Sequence, residues 1–228
     1  MRKPAVDYRE LRWSRLNEPR FRHVKLLAGW LVYLALYFVT ENLIPASRCH
    51  VIHCALDDAI PFSEGFLVFY VYWYFLLAGS LLYFLLYDIR SFKRLQVFIM
   101  ITQAVAMLTY ILYPSIQLLR PERFERDNVL TRLMAFIYAF DTPTGVCPSL
   151  HVAYSMGIAW VWCRREAGGT LWKGFTVLSA VLISISTAFV KQHSVVDILA
   201  AIPVGALAGL QVFGRTRLNR WIERGENR

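Results

Sequence analysis

Charged residues are scarce in this chain. They make up 18% of its 228 residues, whereas 57% are hydrophobic and the mean hydropathy is +0.41. A soluble domain usually has about 25% charged residues, so this chain has more apolar surface than one domain of its length could bury. The composition therefore argues against a soluble enzyme and favours a polytopic membrane protein.

Acidic residues are also few, with 16 Asp and Glu against 25 Lys and Arg, which gives a formal net charge of +9. The basic residues lie in blocks at the ends of apolar runs, which is typical of membrane topology rather than of a phosphate-binding stripe. We therefore expect no nucleic-acid partner. The sequence shows no internal repeat, no low-complexity segment and no second domain.

Six apolar runs are candidates for membrane-crossing helices, which need roughly 20 apolar residues each. A single open strand could not satisfy its backbone polar groups in lipid, so we predict an all-α, polytopic integral membrane protein with six transmembrane helices in one bundle. The fourth run is short. The runs cover residues 24–44, 65–87, 95–113, 149–163, 171–190 and 194–213.

The distribution of basic residues predicts the orientation of the bundle. Nineteen Lys and Arg fall on the side of both termini and six on the other, and cytoplasmic loops are the ones enriched in these residues. Residues 1–23 and 214–228 are thus predicted to be a basic cytoplasmic arm and tail around a membrane domain of residues 24–213. Loops 45–64 and 114–148 are predicted to be extracytoplasmic. The first run is too long for the core of a cleavable signal peptide.

Two of the four cysteines lie in the stretch Cys49-His50-Val51-Ile52-His53-Cys54. Four potential ligands within six residues could bind zinc. A local disulfide in an oxidising compartment is the favoured alternative, free thiols come second and a zinc site ranks last. No metal site is predicted in the core of the bundle.

Ionisable residues stand near the predicted outer ends of the last three runs: His151, Lys191, His193 and Asp197. Such groups are expensive at membrane depth, so they tend to be paired and functional. A structural alternative is an Asp197–Lys191 ion pair with His151 at the interface. We favour a functional cluster because all four fall on one side of the membrane and one chemistry uses them all.

That chemistry is phosphoryl transfer. In a helix, His193 and Asp197 share a face, so the carboxylate can accept a hydrogen bond from one imidazole nitrogen and leave the other free to attack phosphorus. The second imidazole, His151, can protonate the leaving oxygen.

An anion would find further partners near these residues. Ser149 is a candidate cap at the start of the fourth run, where backbone N–H groups favour negative charge. Arg120 and Lys191 can neutralise a phosphoryl group. Together with the histidines they make a constellation suited to phosphoryl transfer, and no cofactor is predicted.

The spacing of these motifs resembles the type 2 phosphatidic acid phosphatase superfamily. Two histidine motifs carry this resemblance: Pro148-Ser149-Leu150-His151 and Ser186-x6-His193-x3-Asp197. Tyr113-Pro114 followed by Arg120-Pro121 is similar to the first, phosphate-binding motif of that superfamily. Fuller stretches are similar to its inositol-phosphorylceramide synthase-like branch: Phe140-Asp141-x-Pro143 and Lys191-Gln192-His193.

The resemblance covers roughly residues 95–213 and implies a role for each matching residue. His193 would be the nucleophile that forms a phosphohistidine, Asp197 its partner and His151 the general acid. Arg120 and Ser149 would hold the phosphate, without a metal.

Three positions depart from the phosphatase pattern. Tyr113 and Thr187 stand where that pattern has Lys and Arg, and Leu150 replaces a Gly. Two phosphate-binding cations of the pattern are thus missing, and Lys191 is the candidate substitute for one.

Water or an alcohol could discharge the phosphohistidine. We therefore expect a lipid phosphatase or phosphotransferase acting on a membrane lipid phosphate or phosphodiester at the outer leaflet, with hydrolysis ranked slightly ahead. The alternative is a head-group phosphotransferase that uses an inositol- or sugar-type alcohol. A non-enzymatic lipid or anion binder, or a transporter, ranks last. The sequence leaves the oligomeric state open.

Overall fold

A computed structural model describes residues 3–164 and 169–224, and this part of the chain is nearly all helical. The predicted arm and tail each extend beyond the described residues. The helices are α1 (Ala28–Leu43), α2 (Ala55–Ala59), α3 (Leu67–Tyr87), α4 (Ile89–Leu112), α5 (Val129–Phe140), α6 (Leu150–Arg164), α7 (Thr170–Phe189), α8 (Val195–Phe213) and α9 (Arg217–Arg224). Two short strands, β1 (His50–Val51) and β2 (Ser115–Ile116), form a parallel pair that the all-α prediction lacked.

Five helical segments are long and apolar enough to cross a membrane, as is typical of an integral membrane protein. They are Arg22–Leu43, Glu64–Tyr87, Ile89–Leu112, Thr170–Phe189 and Val195–Phe213. The remaining predicted span corresponds to α6, which has 15 residues in the described part of the chain. A bundle of six spans is therefore consistent with this fold but goes beyond the five helices that qualify by length and composition.

The short helix α6 is the centre of the bundle. It packs against α3, α4, α7 and α8, and its side chains Ala153, Tyr154 and Ile158 are buried. Small residues allow this close packing, since a Cβ atom added to Gly157 would lie 2.5 Å from the Phe98 ring. By contrast, α1 contributes no buried side chain. Because its neighbours surround α6, polar groups at its ends can be enclosed by protein.

The N-terminal arm folds back against one end of the bundle. The backbone N–H of Ala5 donates to the Leu86 carbonyl, and the Tyr8 hydroxyl lies 2.7 Å from Nε2 of His23. This is the end where α3 finishes and α4 begins.

The two long loops pack together at the opposite end, where α3, α6 and α8 begin and α7 finishes. We call this the site end. The β1–β2 pair joins the loops, and the backbone N–H of Ser63 donates to the Phe189 carbonyl at the end of α7. One loop also contains α5, a helix that hydropathy did not predict. All residues predicted for the functional site lie at or near this end.

Candidate active site

The two histidines come from separate helical segments and meet at the site end. His193 lies in the turn before α8, and His151 lies in the first turn of α6. Their ring centroids are 5.6 Å apart and their planes are inclined by 64°. The structure thus places the rings close enough to flank one small tetrahedral group.

Asp197 lies beside His193, as their spacing predicts. The distance from Nδ1 of His193 to Oδ2 of Asp197 is 3.3 Å, and the carboxylate is fully buried. The same oxygen accepts a hydrogen bond of 2.9 Å from the backbone N–H of Ser194, which completes a capping box at the start of α8. With Nδ1 facing Asp197, the nitrogen of His193 available to attack is Nε2.

His151 is enclosed by aromatic rings of α3. Its centroid lies 4.7 Å from that of Tyr70 and 4.1 Å from that of Trp73. Its Nε2 is buried and has no hydrogen-bond partner. In the sequence these aromatic residues are only part of an apolar run, because hydropathy does not reveal which of them face the site.

Arg120 is fixed beside the His193 turn. One terminal nitrogen donates to the carbonyls of Tyr138 and Asp141, at 3.0 and 2.8 Å, and the other donates to Oε1 of Gln192 at 2.7 Å. Its Nε is buried without a partner. Burial lowers the pKa of Arg120 and the nearby Asp141 carboxylate raises it, but an arginine keeps its charge in proteins. Arg120 is thus hydrogen-bonded to Gln192, the residue that precedes the candidate nucleophile His193.

Ser149 links the starts of two helices. Its backbone N–H donates to the Asp197 carbonyl across 3.1 Å, while its hydroxyl is buried without a hydrogen-bond partner. The expectation that this hydroxyl caps α6 is wrong, because it makes no bond to the backbone of the first turn. The hydroxyl is left available to another group.

Lys191 lies in the same turn as His193, with a positive φ of 51°. Its Nζ donates to the carbonyls of Asp57, at 2.7 Å, and Ile60, so the ion pair with Asp197 considered as the structural alternative is not formed. Burial lowers the pKa of Lys191, and the charges of Asp57 and Asp58 raise it. Two of the three N–H donors of Lys191 therefore bind carbonyls in the loop of residues 45–64. Its contact with a phosphate stays a prediction.

Asp57 is a site residue that sequence reasoning missed. Its Oδ2 accepts from the Ser194 hydroxyl at 2.6 Å and from the backbone N–H of Cys54 at 2.8 Å. Its Oδ1 accepts from the backbone N–H of Val195 at 2.8 Å. Burial raises the pKa of Asp57, but these hydrogen bonds outweigh it and hold the pKa below its usual value. Nothing in the local sequence distinguishes this residue from Asp58.

Asp141 and Gln192 extend the network around Arg120. The Gln192 amide nitrogen lies 3.4 Å from Oδ2 of Asp141. Burial raises the pKa of Asp141, and the charges of Arg120 and His193 lower it. Both residues stand in the quoted motifs, but their contacts depend on a fold that the motifs do not encode.

The cysteine-rich stretch is not arranged as a metal site. Cys49 and Cys54 are free thiols, His50 stacks on Tyr113 with centroids 4.1 Å apart, and His53 binds the Asp58 carboxylate at 2.8 Å. No group of His, Cys, Asp or Glu within residues 3–164 and 169–224 is placed to hold a metal ion. Of the three alternatives, the structure has the free thiols.

Comparison of the chain with protein-family models, curated proteins and solved structures returned no match. The likeness to the phosphatase superfamily therefore rests on the motifs quoted above.

Proposed function

We propose that the protein is a metal-independent lipid phosphate phosphatase or phosphotransferase that works through a phosphohistidine on His193. Asp197 holds the tautomer of this imidazole and stabilises the charge that develops on it. His151 protonates the leaving oxygen and then removes a proton from the acceptor. Arg120 and Ser149 bind the phosphoryl oxygens, as the sequence resemblance implies.

One observation carries this proposal, namely the pair of imidazoles 5.6 Å apart with a buried carboxylate 3.3 Å from Nδ1 of one of them. A histidine without such a partner is a poorer nucleophile, because its tautomer and orientation are not fixed. A single buried histidine would be consistent with packing alone. Two imidazoles in edge contact, of which His193 alone has a carboxylate partner among the described residues, suit a division into nucleophile and acid.

Unpartnered polar atoms around the histidines support an anionic substrate. Nε2 of His151, Nε of Arg120 and the Ser149 hydroxyl are all buried without a hydrogen-bond partner. A buried polar group left in this way costs about 1–3 kcal/mol. All three can donate hydrogen bonds, and a phosphoryl group has several acceptor oxygens to receive them.

An apolar groove beside the histidines supports a lipid rather than a soluble phosphate. It has a volume of about 570 Å³ and lies between α6, α7 and α8. Val152, next to His151, and Ile198, next to Asp197, line it at the site end, and Cys163 lines its far part. Val152 and Cys163 are separated by about 16 Å of helix. A hydrocarbon chain can follow this groove while its phosphate remains at the histidines.

Transfer to an alcohol is the second candidate, and one observation favours it. Glu41 accepts hydrogen bonds from the hydroxyls of Thr142 and Tyr37, and its charge raises the pKa of the neighbouring Asp141. Ionised carboxylates accept hydrogen bonds from hydroxyl groups and repel a second phosphate. A neutral polyol therefore suits this side of the site.

By sequence the site faces the extracytoplasmic side, so we propose an outer-leaflet substrate.

A lipid-panel assay tests the proposal. Purified protein in detergent is incubated with labelled lipid phosphates and phosphodiesters, with and without inositol or sugar alcohols. Release of inorganic phosphate from a phosphomonoester identifies a phosphatase, and product formed only with an added alcohol identifies a transferase. His193→Ala should abolish either activity, and Asp197→Asn should reduce it by about 10⁴-fold.

The matched control is His53→Gln, which alters an exposed histidine paired only with the exposed Asp58. It should retain wild-type turnover. Full activity of His193→Ala would contradict the mechanism. Absence of turnover on every lipid, by a wild-type protein that binds lipid phosphate, would instead favour the non-enzymatic binder or transporter.

A further inference from the structure

The helix α5 presents an apolar stripe that the described part of the chain leaves uncovered. Its four members are spaced by four, three and four residues, so they lie on one face of the helix. Their exposed fractions are 79% for Val129, 40% for Leu133, 66% for Phe136 and 85% for Phe140. Water would contact large apolar side chains along the whole helix unless another apolar phase covered them.

The opposite face of α5 is fixed to the bundle. Met134 is fully buried and belongs to one cluster with Leu67, at the start of α3, and Val190, just after α7. The Tyr138 hydroxyl donates to the Val190 carbonyl across 2.7 Å. Asn128 caps the helix by accepting from the backbone N–H groups of the first turn. The position of α5 is therefore set at the ends of two membrane-crossing segments.

We propose that α5 is an interfacial helix whose apolar stripe lies in the lipid leaflet at the site end. With 12 residues it is about 18 Å long, too short to cross a membrane. Short amphipathic helices of this kind lie in the plane of the interface with their apolar face in the acyl region. The proposed partner is thus the bilayer itself.

Continuity with the lipid-facing surface of the spans favours a bilayer over a second copy of the chain. Leu67, which contacts the buried face of α5, is followed by Val68, which is 57% exposed at the start of a segment long enough to cross the membrane. The exposed apolar surface of α3 thus begins at the level where α5 is attached. A leaflet that covers α3 reaches this level and covers the stripe as well.

This arrangement connects the leaflet to the candidate site. The last turn of α5 provides the Tyr138 carbonyl to Arg120, and the Asp141 carbonyl follows directly after the helix. A lipid headgroup beside Phe140 would therefore lie close to the cation proposed to bind phosphate. The inference depends on the membrane location of the bundle and not on histidine chemistry, so the two can fail separately.

Photo-crosslinking in liposomes tests the proposal on the full chain. Benzoylphenylalanine is introduced at Phe136, in the stripe, and in a second variant at Ala135, an exposed residue that lies about 100° around the same helix from Phe136. A third variant carries it at Phe75, an exposed residue within α3, as the positive control for lipid contact. After illumination, mass spectrometry measures lipid adducts, and denaturing gels measure covalent dimers.

We expect a lipid adduct at position 136 comparable to that at position 75 and several times more abundant than that at position 135. A covalent dimer at position 136 in place of the lipid adduct would overturn the proposal in favour of a second copy. Equal labelling at positions 136 and 135, or no adduct at 136 while position 75 is labelled, would also overturn it. None of these readouts depends on enzymatic turnover.

Discussion

The Asp57 carboxylate accepts a hydrogen bond of 2.6 Å from the hydroxyl of Ser194, a residue 137 positions later in the chain. Ser194 is the N-cap of α8 and separates His193 from the helix that holds Asp197. A loop residue near the beginning of the chain thus fixes the turn that positions the candidate nucleophile.

Replacing this carboxylate should destabilise the protein. Asp57→Asn keeps the size of the side chain but replaces one acceptor oxygen with a donor, so a buried donor then faces Ser194 or Val195. We expect a loss of about 1–3 kcal/mol in the free energy of unfolding, measured by thermal unfolding in detergent. Asp58→Asn, at an exposed neighbour in the same helix, is the control and should have little effect. Equal effects of the two substitutions would contradict this role.

The contribution of Asp57 should also depend on pH. Hydrogen bonds hold its pKa below the usual value of 3.8 in the folded state. Its stabilising effect is therefore fully present above the unfolded value and is lost as pH falls through the lower folded value. The stability difference between wild type and Asp57→Asn should thus be constant near neutral pH and shrink in acid. A difference that grows on acidification would show that the carboxylate is not the stabilised form.

The role of His151 can be separated from that of His193 by the choice of leaving group. An alkoxide leaving group needs a proton from the general acid, whereas a nitrophenolate does not. His151→Ala should therefore lose more activity on a lipid phosphate than on a nitrophenyl phosphate. On the activated substrate an acid-labile phosphoenzyme should accumulate, because the same imidazole activates the acceptor. Equal losses on both substrates would remove the acid role.

Close packing between α6 and α8 makes Gly209 sensitive to the smallest substitution. A Cβ atom added there would lie 2.0 Å from the Trp160 ring, so the indole must move in Gly209→Ala. We expect a loss of about 1–3 kcal/mol, as for other overpacked cores, seen as a lower unfolding temperature. The matched control is Gly79→Ala, because a Cβ atom added there meets nothing within 4 Å. That variant should be neutral or more stable, since alanine favours helix.

Hydropathy predicted the apolar helices well but not always their ends. The predicted run 65–87 corresponds closely to Leu67–Tyr87, whereas α4 begins at Ile89 rather than near residue 95. Asp88 caps α4 by accepting from the backbone N–H of Ser91, so the helix includes a basic first segment that hydropathy excludes. Capping hydrogen bonds determine where a helix begins and ends, whereas hydropathy indicates only the apolar part of the helix.

Motifs indicated which residues share the candidate site, but a specific contact within it was predictable only between residues that are close in sequence. The spacing of His193 and Asp197 specifies their contact, because residues four apart share a helix face. The links from Asp57 to Ser194 and from Lys191 to the first loop join residues more than 130 positions apart. No local pattern records such contacts. The helix α5 escaped prediction for a different reason, because it is too short for a search for spans.

The network around Asp57 also has a consequence for biosynthesis. Chains are made from the N-terminus, so Asp57 leaves the ribosome long before Ser194 and Lys191. Until those residues have been synthesised and inserted, the first loop lacks the Ser194 hydroxyl that donates to this carboxylate and the Lys191 ammonium that binds the carbonyls of Asp57 and Ile60. Assembly of the turn that carries His193 is therefore one of the last steps in maturation, and a chain truncated before α8 would lack Asp197 and the rest of the candidate site's last helix.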